Sequence, residues 1–225
     1  MNIFEKHEIF ELEVLEKLKN GRLLEPLLFG GGSMLRLCHE LKRFSVDLDF
    51  WRIKSIPTET LFDKFERLLR QEYDVTDVQI KYFSLLFEIR SPHFPKRLKI
   101  EIRKEIKEWD FQEKIAYSKF STKQVVLKAF TLEQTMNNKI AALIDRGEIR
   151  DGFDIEFLLR QGVALPELTK NEILKLINRI DGFKEKDFKV KLGSVLESDI
   201  RDYYIKNQFQ LLKQKLQKKI KNSNY

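Results

Sequence analysis

Two aspartates in a short alternating segment are the residues of this chain best suited to chemistry. Residues 46–50 read Val-Asp-Leu-Asp-Phe, so in a strand Asp47 and Asp49 share one face and the apolar side chains share the other. Neighbouring carboxylates repel each other, and a divalent cation between them removes the repulsion. Mg²⁺ takes few carboxylates and completes its shell with water and substrate phosphates. The pair therefore predicts a site for Mg²⁺ (or Mn²⁺).

A glycine-rich turn precedes this pair. The apolar segment 23–29 is a predicted strand, Gly30-Gly31-Gly32-Ser33 follows it, and residues 34–41 are a predicted helix. Glycines allow close backbone approach to a ligand, and free N–H groups at a helix start attract phosphate. No Gly-Lys-Ser/Thr follows, which excludes a P-loop, and the spacing of a dinucleotide-binding turn is absent. A phosphate cradle beside a metal-binding pair is what a nucleoside triphosphate with Mg²⁺ needs.

The order of these parts is more specific than any one of them. A strand, Gly-Gly-Ser, a helix and an Arg-x-Ser-x-Asp-x-Asp strand together resemble the minimal nucleotidyltransferase fold of the DNA polymerase β superfamily. The segment looks most like the AbiEii/AbiGii type IV toxin family. The matching residues are Gly31, Gly32, Ser33, Arg43, Ser45, Asp47 and Asp49.

The resemblance implies a third carboxylate on a later strand. Leu98, Ile100 and Ile102 alternate with polar residues, which puts Glu101 on a polar face. Glu101 is the predicted third metal ligand and would help activate the attacking hydroxyl. Glu88 is the alternative by the same alternation, and either residue could instead be an exposed carboxylate paired with neighbouring Arg or Lys.

The resemblance extends into the second half of the chain. Lys139, Arg146, Asp151 and Asp154 stand where AbiEii-like proteins carry a Lys and an Arg followed by an Arg-Asp-x-x-Asp segment. All four are predicted nucleotide-binding residues, as are Arg43 and Ser45. Lys139, also counted as catalytic, and Arg146 would hold the triphosphate and neutralise the departing pyrophosphate. Alternatively, Asp151 is only a helix N-cap and Lys139 only a solvated residue.

The pattern of apolar residues predicts an α+β protein. Residues 1–120 form a predicted nucleotidyltransferase domain with a mixed sheet flanked by helices, and residues 121–225 a predicted helical bundle. Within the first part, residues 75–90 and 97–104 are predicted strands. Thr169 to Glu172 forms a predicted capping box, and residues 205–220 have the apolar periodicity of one amphipathic helix.

Charge is concentrated at the end of the chain. Of the 225 residues, 42 are Lys or Arg and 35 are Asp or Glu, a net charge of +7, and from Lys206 onward there are six Lys and no acid. This basic C-terminal helix is either a docked helix with a solvated face or a contact for a nucleic-acid backbone. The absence of a membrane-spanning stretch and the single Cys38, the predicted core thiol, favour a cytoplasmic protein without a membrane partner.

The function predicted from the resemblance is Mg²⁺-dependent transfer of a nucleoside monophosphate from a triphosphate to an acceptor hydroxyl. The basic helix and the family favour RNA, such as a tRNA 3′ end, as acceptor. The protein would then be the toxin of a type IV toxin–antitoxin or abortive-infection system, with an antitoxin protein as partner. Two alternatives remain: γ-phosphoryl transfer to a protein hydroxyl, and a non-catalytic binding protein with a degenerate site.

Overall fold

A seven-stranded sheet carries the aspartate pair. In the computed structural model, which describes residues 1–222, the strand order is β3-β4-β5-β2-β1-β7-β6. Pairs β2–β5 and β1–β7 are parallel and the others antiparallel, so the sheet is mixed and the predicted fold class is confirmed. The strands are Leu27–Gly30 (β1), Asp47–Arg52 (β2), Asp74–Ile80 (β3), Ser84–Arg90 (β4), Leu98–Ile106 (β5), Phe111–Tyr117 (β6) and Gln124–Phe130 (β7).

Three helices belong to the same compact unit as the sheet, which comprises residues 1–40 and 44–131. They are Ile3–Asn20 (α1), Gly31–His39 (α2) and Thr58–Glu72 (α3). A capping box starts α1, in which the Asn2 side chain accepts hydrogen bonds from backbone N–H groups and Glu5 caps in return. Phe10 and Leu15 of α1 are fully buried. One face of α1 therefore packs toward the core.

Three parts of the sheet differ from the sequence-based expectation. The predicted strand 75–90 is a hairpin, because residues 81–83 break it into β3 and β4. Strand β6 was not predicted, because most of its side chains are exposed and its pattern lacks a continuous apolar face. Strand β7 was not predicted either, although its alternate residues Val125, Leu127 and Ala129 are buried. Because β7 belongs to the sheet, this unit extends to Thr131, beyond residue 120.

The second unit is helical and contains residues 41–43 together with the chain from Leu132 onward. Its helices are Leu132–Arg146 (α4), Ile149–Arg160 (α5), Lys170–Asp181 (α6), Ser198–Asn207 (α7) and Gln210–Asn222 (α8), with a π-helical segment Asp187–Leu192 between α6 and α7. The capping box at Thr169 is confirmed. Residues 223–225 of the predicted helical domain lie outside the described residues.

The basic C-terminal segment is two helices and not one. Gln208, with φ of 50°, separates α7 from α8. Phe209, Leu212 and Leu216 are buried, which is the apolar stripe that the sequence predicts. None of the helices in residues 1–222 combines the length and the apolar character needed to cross a bilayer.

Candidate active site

The glycine turn and the aspartate strand lie directly against each other. Strand β1 ends at Gly30, which pairs with Asp49 of β2, and α2 begins at Gly31. Gly31 has φ of +72°, a conformation that favours glycine. A Cβ atom there would lie 3.0 Å from the Cβ and 3.1 Å from the Cγ of Asp49, and closer still to its Oδ2. Any other residue at this position would displace the Asp49 carboxylate, which packs against the first turn of α2.

Strand β2 presents its two carboxylates on one face. Asp47, Asp49 and Trp51 are half-buried, whereas the alternate residues Leu48 and Phe50 are buried in the core. This alternation is the one that the sequence predicts. The neighbouring parallel strand β5 places Lys99 in register with Asp47 and Glu101 in register with Asp49. The predicted third carboxylate therefore lies beside the aspartate pair.

Glu101 is held by three donors. Lys99 Nζ lies 3.1 Å from Oε2, Arg103 Nη1 lies 3.2 Å from Oε1, and the Ser84 hydroxyl donates a further hydrogen bond. Burial alone would raise the pKa of Glu101, but Arg103, Lys99 and Ser84 outweigh it and hold the pKa below its usual value. Glu101 is therefore ionised at neutral pH.

The alternative third carboxylate, Glu88, has a different setting. It lies on β4, one strand farther from β2 than Glu101. Its Oε1 accepts hydrogen bonds from Thr76 Oγ1 at 2.7 Å and from Arg97 Nη1 at 2.8 Å. The hydrogen bond from Thr76 is the largest cause that lowers the pKa of Glu88, and Arg97 lowers it further, whereas burial opposes both. Its register partner on β5 is Lys99, not Glu101.

Ser33 is fully buried, and its hydroxyl faces the protein interior. Its Oγ lies 2.8 Å from Glu11 Oε1 and 2.5 Å from the main-chain oxygen of Asp47. A hydroxyl has one hydrogen and can donate to only one of them. Burial raises the pKa of Glu11 well above its usual value despite the opposing Ser33 hydrogen bond. The protonated Glu11 can thus donate to Ser33, and Ser33 to Asp47, which fixes the start of β2 against α2.

Sequence reasoning missed the acidic residues of α1. Besides Glu11, Glu8 is buried, and its Oε1 accepts a hydrogen bond at 2.6 Å from Arg36 Nε. Glu8 Oε2 accepts a second, at 2.7 Å, from the Ser118 hydroxyl. The signal in the sequence is that Glu8 and Glu11 stand three residues apart among apolar residues at helical spacing, which places both side chains on the core-facing side of a helix. Buried acids need partners, and here those partners belong to α2 and the segment after β6.

The carboxylates suit a hard cation that the substrate helps to bind. Asp47 and Asp49 supply oxygen ligands, and Mg²⁺ is commonly held by one or two carboxylates together with substrate phosphates. Within residues 1–222, no group of three or more His, Cys, Asp or Glu side chains is arranged to hold a metal by itself. The donor set therefore fits a metal that substrate phosphates help to bind better than an all-protein cage.

The other predicted nucleotide-binding residues form an ion-pair cluster in the helical unit. Arg43 makes two hydrogen bonds of 2.6 Å to the carboxylate of Asp154. Lys139 Nζ lies 2.6 Å from Asp154 Oδ2 and 3.2 Å from Asp151 Oδ1. Arg146 binds both oxygens of Asp151, at 2.7 and 2.8 Å. Three cations and two carboxylates thus alternate in one connected network of ion pairs.

Burial distinguishes the members of this cluster. Burial alone would raise the pKa of Asp154, but Arg43 and Lys139 reverse the effect and lower it. Asp151 lies in the first turn of α5, whose N-cap is Glu148, so it is not the cap. Arg146 keeps 54% of its side chain exposed, whereas Lys139 keeps 10%. Arg146 is thus the cation of the cluster with the greatest access to solvent.

Two other residues named from the sequence, Ser45 and Cys38, lie outside this cluster. Ser45 is half-buried and precedes the first residue of β2 by two positions. Cys38 lies on α2, and burial raises the pKa of its thiol to about 12. Such a thiol stays protonated at neutral pH, which agrees with a packing role and not a nucleophilic one.

Comparison with known proteins gives the family of this chain. The model of the family described as "Nucleotidyl transferase AbiEii toxin, Type IV TA system" matches residues 13–221. No curated protein matches the chain.

Two solved structures share the fold. One is JHP933 from Helicobacter pylori, with 22% identity, a TM-score of 0.51, and coverage of 95% of this chain and 97% of the other. The second is a candidate nucleotidyltransferase from H. pylori, with 21% identity, a TM-score of 0.57, and coverage of 93% and 96%. At these identities the two structures show the fold alone, and the family match indicates nucleotidyltransferase chemistry. The chain belongs to the AbiEii family of nucleotidyltransferase toxins of type IV toxin–antitoxin systems.

Proposed function

We propose that this nucleotidyltransferase uses Mg²⁺ to move a nucleoside monophosphate from a nucleoside triphosphate to the 3′ hydroxyl of an RNA, such as a tRNA. The observation that carries the proposal is the contact between Gly31 at the start of α2 and Asp49 on β2. It sets a backbone able to receive phosphates against a carboxylate able to hold a metal.

In the reaction, the acceptor oxygen forms a bond to the α-phosphorus as the bond from that phosphorus to the β-bridging oxygen breaks. Pyrophosphate leaves, and the hydroxyl proton passes to a base or to water. Bound Mg²⁺ would stabilise negative charge on the attacking and leaving oxygens. Asp47 and Asp49 would hold the metal, and the backbone of Gly31 and Gly32 would bind the terminal phosphates.

The surroundings of Glu101 favour one of its two predicted roles. Its pKa is lowered, so it holds a proton poorly at neutral pH. A carboxylate that stays ionised serves better as a metal ligand or as an orienting acceptor than as a store for the hydroxyl proton. We therefore propose Glu101 as the third ligand, which would exchange contacts with Lys99 and Arg103 for the metal.

The roles of the helical unit stay predictions. Lys139 and Arg146 are assigned to the triphosphate, and in this structure both are paired with aspartates. The exposed Lys215, Lys218 and Lys221 of α8 recur at steps of three and could contact an RNA backbone. The family is one of toxin–antitoxin systems, so we propose that a separate antitoxin protein binds this chain.

A transfer assay tests the proposal. The protein is incubated with Mg²⁺, bulk tRNA and each of the four triphosphates, labelled at either the α or the γ phosphorus. We expect RNA to acquire α label and not γ label, and EDTA to abolish the transfer. The variant Asp47→Asn/Asp49→Asn should be inactive. The control Asp63→Asn/Asp74→Asn, which removes two exposed carboxylates of the same unit, should retain activity. Transfer of γ label alone, to RNA or to protein, would contradict the proposal.

A further inference from the structure

The turn between β3 and β4 exposes two aromatic side chains. Tyr82 is 85% exposed and Phe83 is 72% exposed, more than any other large apolar side chain described in residues 1–222. Their rings are nearly perpendicular, with centroids 4.5 Å apart. Ile80, at the end of β3, is 49% exposed beside them. We call residues 80–83 the aromatic tip. Folding of the chain buries little of this apolar surface, so both rings are accessible to a ligand.

The backbone of the aromatic tip is well anchored although its side chains are exposed. Lys81 N–H donates to the Ser84 carbonyl at 2.8 Å, and Lys104 N–H donates to the Phe83 carbonyl at 3.0 Å. The Lys104 ammonium donates to the carbonyls of Lys81 and Tyr82, at 2.5 and 3.4 Å. The carbonyls of residues 81–84 thus all accept a hydrogen bond. The two rings are presented on a fixed support, which lowers the entropy lost when a ligand binds them.

Positive charge surrounds the aromatic tip. Lys81 belongs to it, and the adjoining part of β5 and its end contribute Arg103, Lys104 and Lys107. The carboxylates nearby are Glu105, paired with Lys107 at 2.7 Å, and Glu101, paired with Arg103. Arg103 and Lys107 are thus offset by these carboxylates, and Lys81 and Lys104 are the excess positive charge beside the rings. Exposed aromatic rings among cations are the combination by which proteins bind single-stranded nucleic acid, whose bases stack while its phosphates pair with Lys and Arg.

The aromatic tip is continuous with the carboxylate site. Ser84 follows Phe83 directly, and its hydroxyl donates to Glu101. Ser84 is in register with Arg103, and Glu101 lies two residues away along β5, a distance of about 7 Å at the usual rise per residue. A strand of nucleic acid held at the tip would therefore have its neighbouring nucleotides close to the carboxylates.

We propose that the aromatic tip is a stacking platform for the single-stranded 3′ end of the RNA acceptor. The proposal rests on the proposed function, because it names the surface that would bring the acceptor hydroxyl to the site. Tyr and Phe are also common in protein interfaces, but the excess positive charge of Lys81 and Lys104 complements a phosphate backbone and thus favours RNA. Stacking is tolerant of sequence, so the tip would bind the acceptor without selecting its bases.

Binding is measured by fluorescence anisotropy with a labelled single-stranded oligoribonucleotide of mixed sequence, without triphosphate or Mg²⁺. The variant Tyr82→Ala/Phe83→Ala should weaken binding by at least about tenfold. The control Ile115→Ala/Val126→Ala removes a cross-strand apolar pair that is 50% and 46% exposed on the same sheet. That control should bind as the unmodified protein does.

Two more variants separate stacking from simple apolar contact. Tyr82→Trp/Phe83→Trp should keep or strengthen RNA binding, whereas Tyr82→Leu/Phe83→Leu should lose it as the alanine variant does. Unchanged RNA affinity in the alanine or leucine variant would overturn the proposal, whatever else the tip binds.

The same variants distinguish this proposal from the proposed function. If the unmodified protein transfers α label and the alanine variant both binds RNA and transfers equally well, the platform is refuted and the nucleotidyl transfer stands. If binding depends on the rings but no triphosphate yields transfer, the platform stands and the proposed reaction fails.

Discussion

Replacing Gly31 with alanine tests whether the position of Asp49 matters for the reaction. Gly31 has φ of +72°, and an added Cβ would push the Asp49 carboxylate oxygen back by about 1 Å to reach ordinary contact distance. A displacement of about 1 Å in a catalytic group can lower the rate about 100-fold. We therefore expect Gly31→Ala to lose about 100-fold in kcat.

Gly162 provides a matched control for the backbone conformation. It also has positive φ, +87°, but a Cβ there would meet nothing within 4 Å. Alanine in the left-handed region costs roughly 1–2 kcal/mol at either position. Both variants should therefore lose about that much stability, and Gly31→Ala somewhat more because of the clash, while only Gly31→Ala should lose activity.

Two assays separate these effects. Urea unfolding followed by far-UV circular dichroism gives the free energy of unfolding of each variant. Transfer from α-labelled triphosphate, at a temperature where all variants are folded, gives kcat and KM. If Gly31→Ala keeps a kcat within a few-fold of Gly162→Ala, the reasoning that places Asp49 against the phosphate cradle is refuted.

Two further predictions concern buried polar groups. Asp154→Asn should destabilise the protein by about 3–5 kcal/mol, because Arg43 and Lys139 stay buried without a full counter-charge, whereas Asp181→Asn, which loses an exposed pair with Lys213, should cost no more than about 1 kcal/mol. The pKa of Asp154 is lowered on folding, so its ionised form stabilises the folded protein. The difference in free energy of unfolding between Asp154→Asn and the unmodified protein should therefore be complete above about pH 5 and shrink as the pH falls below about 3.9. Equal stability of the two proteins at pH 7 would contradict this prediction. Glu11→Gln keeps a donor for Ser33 and should be close to the unmodified protein in urea unfolding, whereas Glu11→Ala should lose at least about 1–3 kcal/mol, and equal losses would show that the Ser33 hydrogen bond does not matter.

The local parts of the site were predictable from the sequence. Alternation put Asp47 and Asp49 on the open face of β2, with Leu48 and Phe50 in the core. The glycine run predicted a turn before a helix, and α2 begins at Gly31. These features depend on side-chain period and glycine conformation, which act over a few residues.

The non-local parts were not predictable in the same way. The parallel pairing of β2 with β5, which sets Glu101 beside Asp49, joins residues about 50 positions apart, and no local pattern encodes that register. The pairing of Arg43 with Asp154 is similarly distant in sequence and shows only in the folded unit. Strand β6 was missed because its exposed, mixed side chains lack the alternation of a half-buried strand.

The most direct test of the central claim is mass spectrometry of RNA 3′ ends after incubation with the protein, Mg²⁺ and triphosphates. We expect 3′ termini extended by nucleoside monophosphate units with the unmodified protein, and unextended termini with Asp49→Asn. Asp74→Asn, at an exposed position of the same unit, should extend them normally. Unextended termini with the unmodified protein, together with phosphoryl groups appearing on protein, would contradict the account.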